Sequence, residues 1–256
     1  MESVNWSILG PAVFAGLLVL STHVPLGQEV LKRGIIFIDL AIAQIAGLGV
    51  LAAGVLGWED NLWLVQISAV SAALLASAGL SWSEKRWPQL QEPLIGILFV
   101  LAATASILLV SENPHGAEHI KDLLVGQILW STWQSLVQMT VLYAFLLSVW
   151  FKWHARIGHK GFYVIFAFAV TASVQFVGVY LVFASLIIPA LATRRLHGKP
   201  RLLAGYALGA VAYVAGIMLS AVFDLPTGAV TVWTMAMLAI VVGSWLGRIR
   251  DIAAFS

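Results

Sequence analysis

The 256-residue chain contains no cysteine. Disulfides, thiolate metal sites and thiol nucleophiles are therefore excluded, and the redox compartment cannot be read from cysteine usage. Charge is scarce as well. Asp, Glu, Lys and Arg make up 10% of the residues, against about 25% in an ordinary soluble domain. The 14 basic and 12 acidic side chains are bunched between long uncharged runs, too few to cover a water-facing surface. No Gly-x-x-x-x-Gly-Lys-Ser/Thr sequence occurs, so the chain carries no P-loop to cradle nucleotide phosphates. Internal repeats and low-complexity tracts are absent too. What the chain does have is apolar residues, at 61%. That composition describes a polytopic membrane protein, all-α and folded as one bundle over residues 1–256, with no role for nucleic acid.

A bilayer core of about 30 Å takes about 20 apolar residues per helix. Cutting the sequence at charges, prolines and polar clusters leaves nine apolar stretches, near residues 8–27, 35–57, 62–82, 93–111, 124–151, 161–175, 176–193, 202–222 and 227–247. Glu2 stands where a signal peptide needs positive charge, so the first stretch reads as a retained span. Residues 161–193 carry no charge and are too long for one straight crossing, which places a break at Ser173 to Gly178. The first half of 124–151 is polar enough to lie at the interface or re-enter. The expectation is eight to nine spans.

Lys and Arg accumulate in short cytoplasmic loops. Lys32 and Arg33, Lys85 and Arg86, Lys152 with Arg156 and Lys160, Arg194 and Arg195, Lys199 and Arg201, and Arg248 and Arg250 fall in alternate loops of the nine-span scheme. The opposite loops hold Glu59, Asp60, Glu112, Glu118, Asp122 and Asp224, with Lys121 the one basic exception. This pattern puts the amino terminus outside and the carboxyl terminus inside. It suits a multi-pass protein of a cytoplasmic (inner) membrane.

A charge within an apolar run is costly and marks a pathway or a paired site. Asp39 is the clear case, six positions beyond Arg33. On a helix it shares a face with Ala43, Ala46 and Val50, a stripe of small residues. The plain alternative is an ion pair with Lys32 or Arg33. His23, the histidine placed within a span, carries an imidazole suited to zinc or manganese-type ions; the alternative is a hydrogen-bonded core residue. His115, Glu118 and His119 match the H-x-x-E-H pattern of one zinc-peptidase class. Pro114 and Gly116 punctuate that loop, however, whereas a peptidase holds its ligands on a rigid helix in a dry cleft.

With these residues in view, the sequence resembles the zinc/manganese/iron class of ABC-transporter permeases over nearly its whole length. Leu26-Gly27 through Val30-Leu31, Arg33, Phe37 and Asp39 looks like the family's approach to its second helix. Gly178-Val-Tyr-Leu-Val-Phe-Ala-Ser-Leu-Ile-Ile-Pro189-Ala is similar to its Gly-x-x-Leu-Val-x-Ala-Leu-Leu-Ile-Pro-Ala signature. Asp224-Leu-Pro226-Thr-Gly228 resembles its Asp-x-Pro-Ser/Thr-Gly turn, and Leu124-Val-Gly-Gln-Ile-Leu129 sits where the family has Phe-Gly-x-Ile-Leu. Turn and helix-breaking roles suffice physically for Pro189 and Pro226, the first bending a late span and the second pre-set for a helix start.

The resemblance implies a homodimeric permease without catalytic activity of its own or a resident cofactor. Cytoplasmic ATPase subunits would drive it, and an external solute-binding protein would deliver a divalent metal, zinc or manganese. The family's path carries an aspartate and, four residues on, a histidine. Asp39 matches the aspartate, whereas position 43 is alanine. Gln44 is the nearest polar residue, about 140° away on an ideal helix, and His23 is the candidate for the missing nitrogen ligand. Trp153, His154 and Arg156 lie where the family docks its ATPases, although the segment is shortened here and its charges also suit anionic lipid heads. Two rivals stand beside this reading. One is an ABC permease for a chelated or organic cargo; the other is a membrane zinc hydrolase using His115, Glu118 and His119.

Overall fold

The computed structural model describes residues 6–111, 113, 116–153 and 157–254. These residues form helices α1 (Trp6–Arg33), α2 (Ile38–Val55), α3 (Leu62–Arg86), α4 (Gln91–Leu109), α5 (Gly116–Val125), α6 (Trp133–Trp153), α7 (His159–Ala192), α8 (Gly198–Phe223) and α9 (Thr227–Ala254). Short 3₁₀ turns lie at Pro88–Leu90 and Ile128–Trp130. Among the described residues there is no strand, and eight helical segments are long and apolar enough to cross a membrane. The all-helical expectation holds, and these segments number eight when the long helix α7 is counted once.

Local chemistry sets the ends. Asn61 caps α3, its side-chain oxygen accepting from the N–H groups of Trp63 and Leu64 at 3.1 and 3.3 Å. The stretch expected over 124–151 starts later, because the chain spends 116–125 on the separate ten-residue helix α5. Gly126 ends α5 with φ 74°, its N–H donating to Asp122 O at 2.8 Å. Thr132 and Ser135 then cap α6 reciprocally: Ser135 N–H donates to Thr132 Oγ1 at 3.3 Å, and Thr132 N–H to Ser135 Oγ at 3.2 Å. Of residues 161–193, all but Thr193 fall within one element, α7, which leaves helical geometry at Gly178 (φ 74°, ψ 166°). Its 34 residues amount to about 50 Å of helix, more than one bilayer core. Pro189 keeps helical dihedrals, and the break sits at the glycine because only glycine takes that φ without strain.

The chain divides into two compact units. The first comprises residues 1–34, 127–141 and 180–256. Here α1 packs on α8, α8 packs on α9, and the turn at Ile128–Trp130 meets α1. A seam of small residues lets α1 and α8 approach closely: a Cβ on Gly205 would stand 2.9 Å from Val24, and one on Gly209 2.5 Å from Leu20. Pro25 has no N–H, so the carbonyl of Ser21 loses its helical partner. The hydroxyl of Tyr206 on α8 donates to that carbonyl at 2.8 Å.

The second unit comprises residues 35–126 and 142–179. Its central helix α2 lies against α3 and α4 and is buried around most of its circumference, from Ile38 through Ala46 to Ala53. Ser68 donates to Gly49 O at 2.7 Å where α2 meets α3. Gln91 is a buried hub: its amide nitrogen donates to Leu80 O at 3.1 Å and to Tyr163 Oη at 3.2 Å, and its oxygen accepts from Ser83 at 2.8 Å. Glu92 accepts from the N–H of Ile36 at 2.7 Å, tying the approach to α2 onto α4. Gln66 and Gln175 exchange amide hydrogen bonds of 2.6 and 3.1 Å.

Candidate translocation site

Asp39 occupies the first turn of α2, two residues past its N-cap Phe37. A carboxylate there is favoured by the partial positive charge of the helix start. The residue is fully buried, and neither carboxylate oxygen has a hydrogen-bond partner. An ion pair with Lys32 or Arg33 is not what those cations form: Arg33 Nε lies 2.9 Å from Glu29 and Lys32 Nζ 4.0 Å from it. Of the residues expected on the face of Asp39, Ala43 and Ala46 are fully buried and Val50 is partly buried. Gln44, on another side of α2, is buried too, with its amide oxygen unpartnered.

His23 belongs to the first unit and is fully buried in α1. Its Nδ1 lies 2.9 Å from Val19 O and 3.0 Å from Thr22 Oγ1. A carbonyl only accepts, so Nδ1 carries the proton and Nε2 presents a lone pair. That Nε2 is buried and unpartnered. The first unit thus holds an imidazole nitrogen without a partner, and the second a carboxyl group without one. Among the described residues no group of three or more His, Asp or Glu side chains is placed to hold a metal ion.

The signature segments are points of close helix approach. A Cβ on Gly27 would stand 1.9 Å from the carbonyl oxygen of Leu186, so α1 crosses the second half of α7 backbone to backbone. Ser185, one residue earlier, donates to Leu181 O at 2.6 Å and meets Tyr213 Oη at 2.8 Å. In the second unit Gly126 and Gly178, both at φ 74°, touch through their backbones: a Cβ on Gly178 would stand 2.3 Å from Gly126 N, and one on Gly126 2.2 Å from Val177 C. Two of the segments read from the sequence, 124–129 and 178–190, therefore meet at these glycines. Asp224 caps α8 in the left-handed region (φ 51°), its N–H donating to Ser220 O. Ser220 Oγ donates to Leu225 O and meets Thr227 Oγ1, both at 2.6 Å, and α9 starts directly after Pro226 with Gly228 buried.

The remaining candidates separate from this core. Trp153 closes α6 and is half-exposed, whereas His154 and Arg156 lie outside the described residues. His115 lies outside them as well. Glu118 and His119 are both exposed on α5. As consecutive helical residues they point about 100° apart and enclose no dry cleft. Sequence reasoning missed the Gln91 hub, the Gln66–Gln175 pair and the Tyr206–Ser21 bond. Of these, only the last had a local signal, the carbonyl that Pro25 must release.

Comparison with known proteins agrees with this layout. A Chlamydia trachomatis protein described as a probable metal transport system membrane protein is 23% identical over 257 residues, covering 90% of this chain and 87% of its own. Among solved structures, a chain of PsaBC from Streptococcus pneumoniae, in complex with Fab, superposes with TM-score 0.76 at 19% identity, covering 93% of this chain and 91% of that one. A chain described as a metal-chelate type ABC transporter in an inward-facing conformation gives TM-score 0.73 at 16% identity, covering 94% and 89%. These two likenesses concern the fold. The profile of the ABC 3 transport family matches residues 5–157 and 154–246, nearly the whole chain, and the protein therefore belongs to the ABC 3 transport family.

Proposed function

We propose that the chain is the membrane-spanning subunit of an ATP-driven importer for a divalent metal ion, zinc or manganese. Two copies enclose the path, ATPase subunits dock on the cytoplasmic side and an external binding protein supplies the ion. The observation that carries this reading is the carboxylate of Asp39, buried in an apolar span with both oxygens unpartnered. Such a group is expensive to keep, and ionisable groups inside spans belong to substrate and ion pathways. His23 Nε2 supports it, because a lone pair held by a proton fixed on Nδ1 is the arrangement of a histidine ligand. A hydrated divalent ion gives up water only where oxygen and nitrogen replace it, and Asp39 and His23 are each a side chain of one of these kinds.

Co-reconstitution with its ATPase and binding protein in proteoliposomes, followed by uptake of zinc, manganese and a metal chelate, tests the reading. ATP-dependent uptake of a free ion that falls at least tenfold in Asp39→Asn is expected. A second cargo, a chelated metal, is favoured by one observation: position 43 is alanine, and the described residues bring together no set of three ligands. Chelate uptake that ignores Asp39→Asn would establish that cargo and end the role given to Asp39. The amino-terminus-outside orientation needs an odd number of crossings, so α7, broken at Gly178, counts twice. Because the chain lacks cysteine, one cysteine placed at Ser7 or Ser111 is unique. A membrane-impermeant maleimide should label both from outside in intact cells, and labelling only after lysis overturns the orientation.

A further inference from the structure

The second unit carries a groove between α3 and the start of α7 that the transport reading does not use. Its volume is about 480 Å³, and its walls include Leu74, Ser77, Trp82 and Lys85 of α3 with Lys160 and Val164 of α7. From Lys85 to Leu74 is eleven residues of helix, about 16 Å along the axis. Polarity changes along that length. The two lysines stand at one end, both exposed and neither in an ion pair among the described residues. Three residues from Leu74, Ser77 is buried with a hydroxyl that no group among the described residues engages. Leu74 closes the apolar end. Glu84 neighbours Lys85 on α3 without lining the groove. Trp82 is 60% exposed and packs edge-to-face on Trp87 at 5.1 Å, in the manner of aromatic residues at a membrane surface. The charged end also lies at the first turn of α7, where backbone N–H groups add partial positive charge.

We propose that this groove holds one anionic phospholipid, its phosphate between Lys85 and Lys160 and an acyl chain laid toward Leu74 and Val164. The occupant follows from the charge and shape together. Two cations at the mouth, neither ion-paired among the described residues, call for an anion, while the apolar end at Leu74, about 16 Å along α3 from Lys85, calls for hydrocarbon joined to it. Lipid is also the material that surrounds spans of this kind. The site is independent of which cargo crosses the membrane.

Native mass spectrometry of the purified full chain in neutral detergent tests this, using phosphatidylglycerol and phosphatidylcholine of identical chains, with inorganic phosphate as a separate arm. Phosphatidylglycerol should be retained in preference to phosphatidylcholine. The Lys85→Gln/Lys160→Gln variant should weaken it about thirty-fold, which is about 2 kcal/mol at about 1 kcal/mol per basic side chain. Lys121→Gln should leave binding unchanged, and Lys85→Arg/Lys160→Arg should keep it, which separates lost charge from a folding defect. Equal retention of both lipids, or unchanged phosphatidylglycerol binding in the glutamine variant, overturns the proposal. Inorganic phosphate competing at equal concentration assigns the site to a soluble anion and overturns it too. So does release of the lipid when the ATPase assembles on the chain, which assigns the lysines to that partner.

Discussion

Gly27 and Asp39 stand twelve positions apart, are both buried, and belong to different compact units. Around Gly27 the missing side chain is the point: the Leu186 carbonyl occupies the space a Cβ would need. Backbone meets backbone there, and dispersion contact is gained on both helices. Around Asp39 the side chain is everything, and it has nothing to bond to. The first site is what a protein builds to hold helices together in a medium where apolar burial alone does not drive them together. The second is a buried polar group without a partner, which costs stability, and the proposed function gives it an ion to meet.

The widest gap between the two sites should open on adding one methyl group. Gly27→Ala should destabilise the chain by about 3 kcal/mol, since a backbone carbonyl rather than a side-chain tip must move, read as a lowered thermal midpoint in detergent. Gly96→Ala, where nothing lies within 4 Å of the added carbon, should leave the midpoint unchanged or raise it. Asp39→Leu should do the reverse of Gly27→Ala, raising stability by about 2 kcal/mol as an unpartnered buried group is removed, while uptake is lost. Loss of stability in Asp39→Leu would mean that the carboxylate serves the fold, and the contrast would disappear. The smallest effect tests the seam itself. Tyr206→Phe should cost about 1 kcal/mol by stranding the Ser21 carbonyl. In a Pro25→Ala background, where residue 25 regains an N–H for that carbonyl, the same change should cost close to nothing, and equal costs in both backgrounds would refute the assigned bond.

The spans were readable because membrane helices must satisfy their backbones internally and show apolar runs of fixed length. Asn61 before α3 and the Thr132–Ser135 pair before α6 are likewise written in local chemistry. The start of α6 was nonetheless misplaced, because Leu124 to Leu129 is apolar enough to continue a helix and Gly126 ends it only by taking a positive φ. The break in α7 was expected over 173–178, and it falls at the final residue of that window. Asp39 and His23 were legible as polar residues inside apolar runs. That the imidazole is committed through Nδ1 to Val19 and free at Nε2 was not, nor that Lys32 and Arg33 turn to Glu29.

Composition and spacing by themselves determined an all-helical membrane chain, its nine apolar runs, the alternation of basic and acidic loops and the few polar residues that interrupt the runs. Those are properties of single segments in a hydrocarbon solvent, where each helix answers to the bilayer before it meets a neighbour. Only the tertiary structure decided that Gly27 meets Leu186, that Gly126 meets Gly178, and that Gln91 reaches Tyr163 across seventy-two positions. Which polar groups remain unpartnered after packing depends on every helix that reaches them, and no segment carries that information alone.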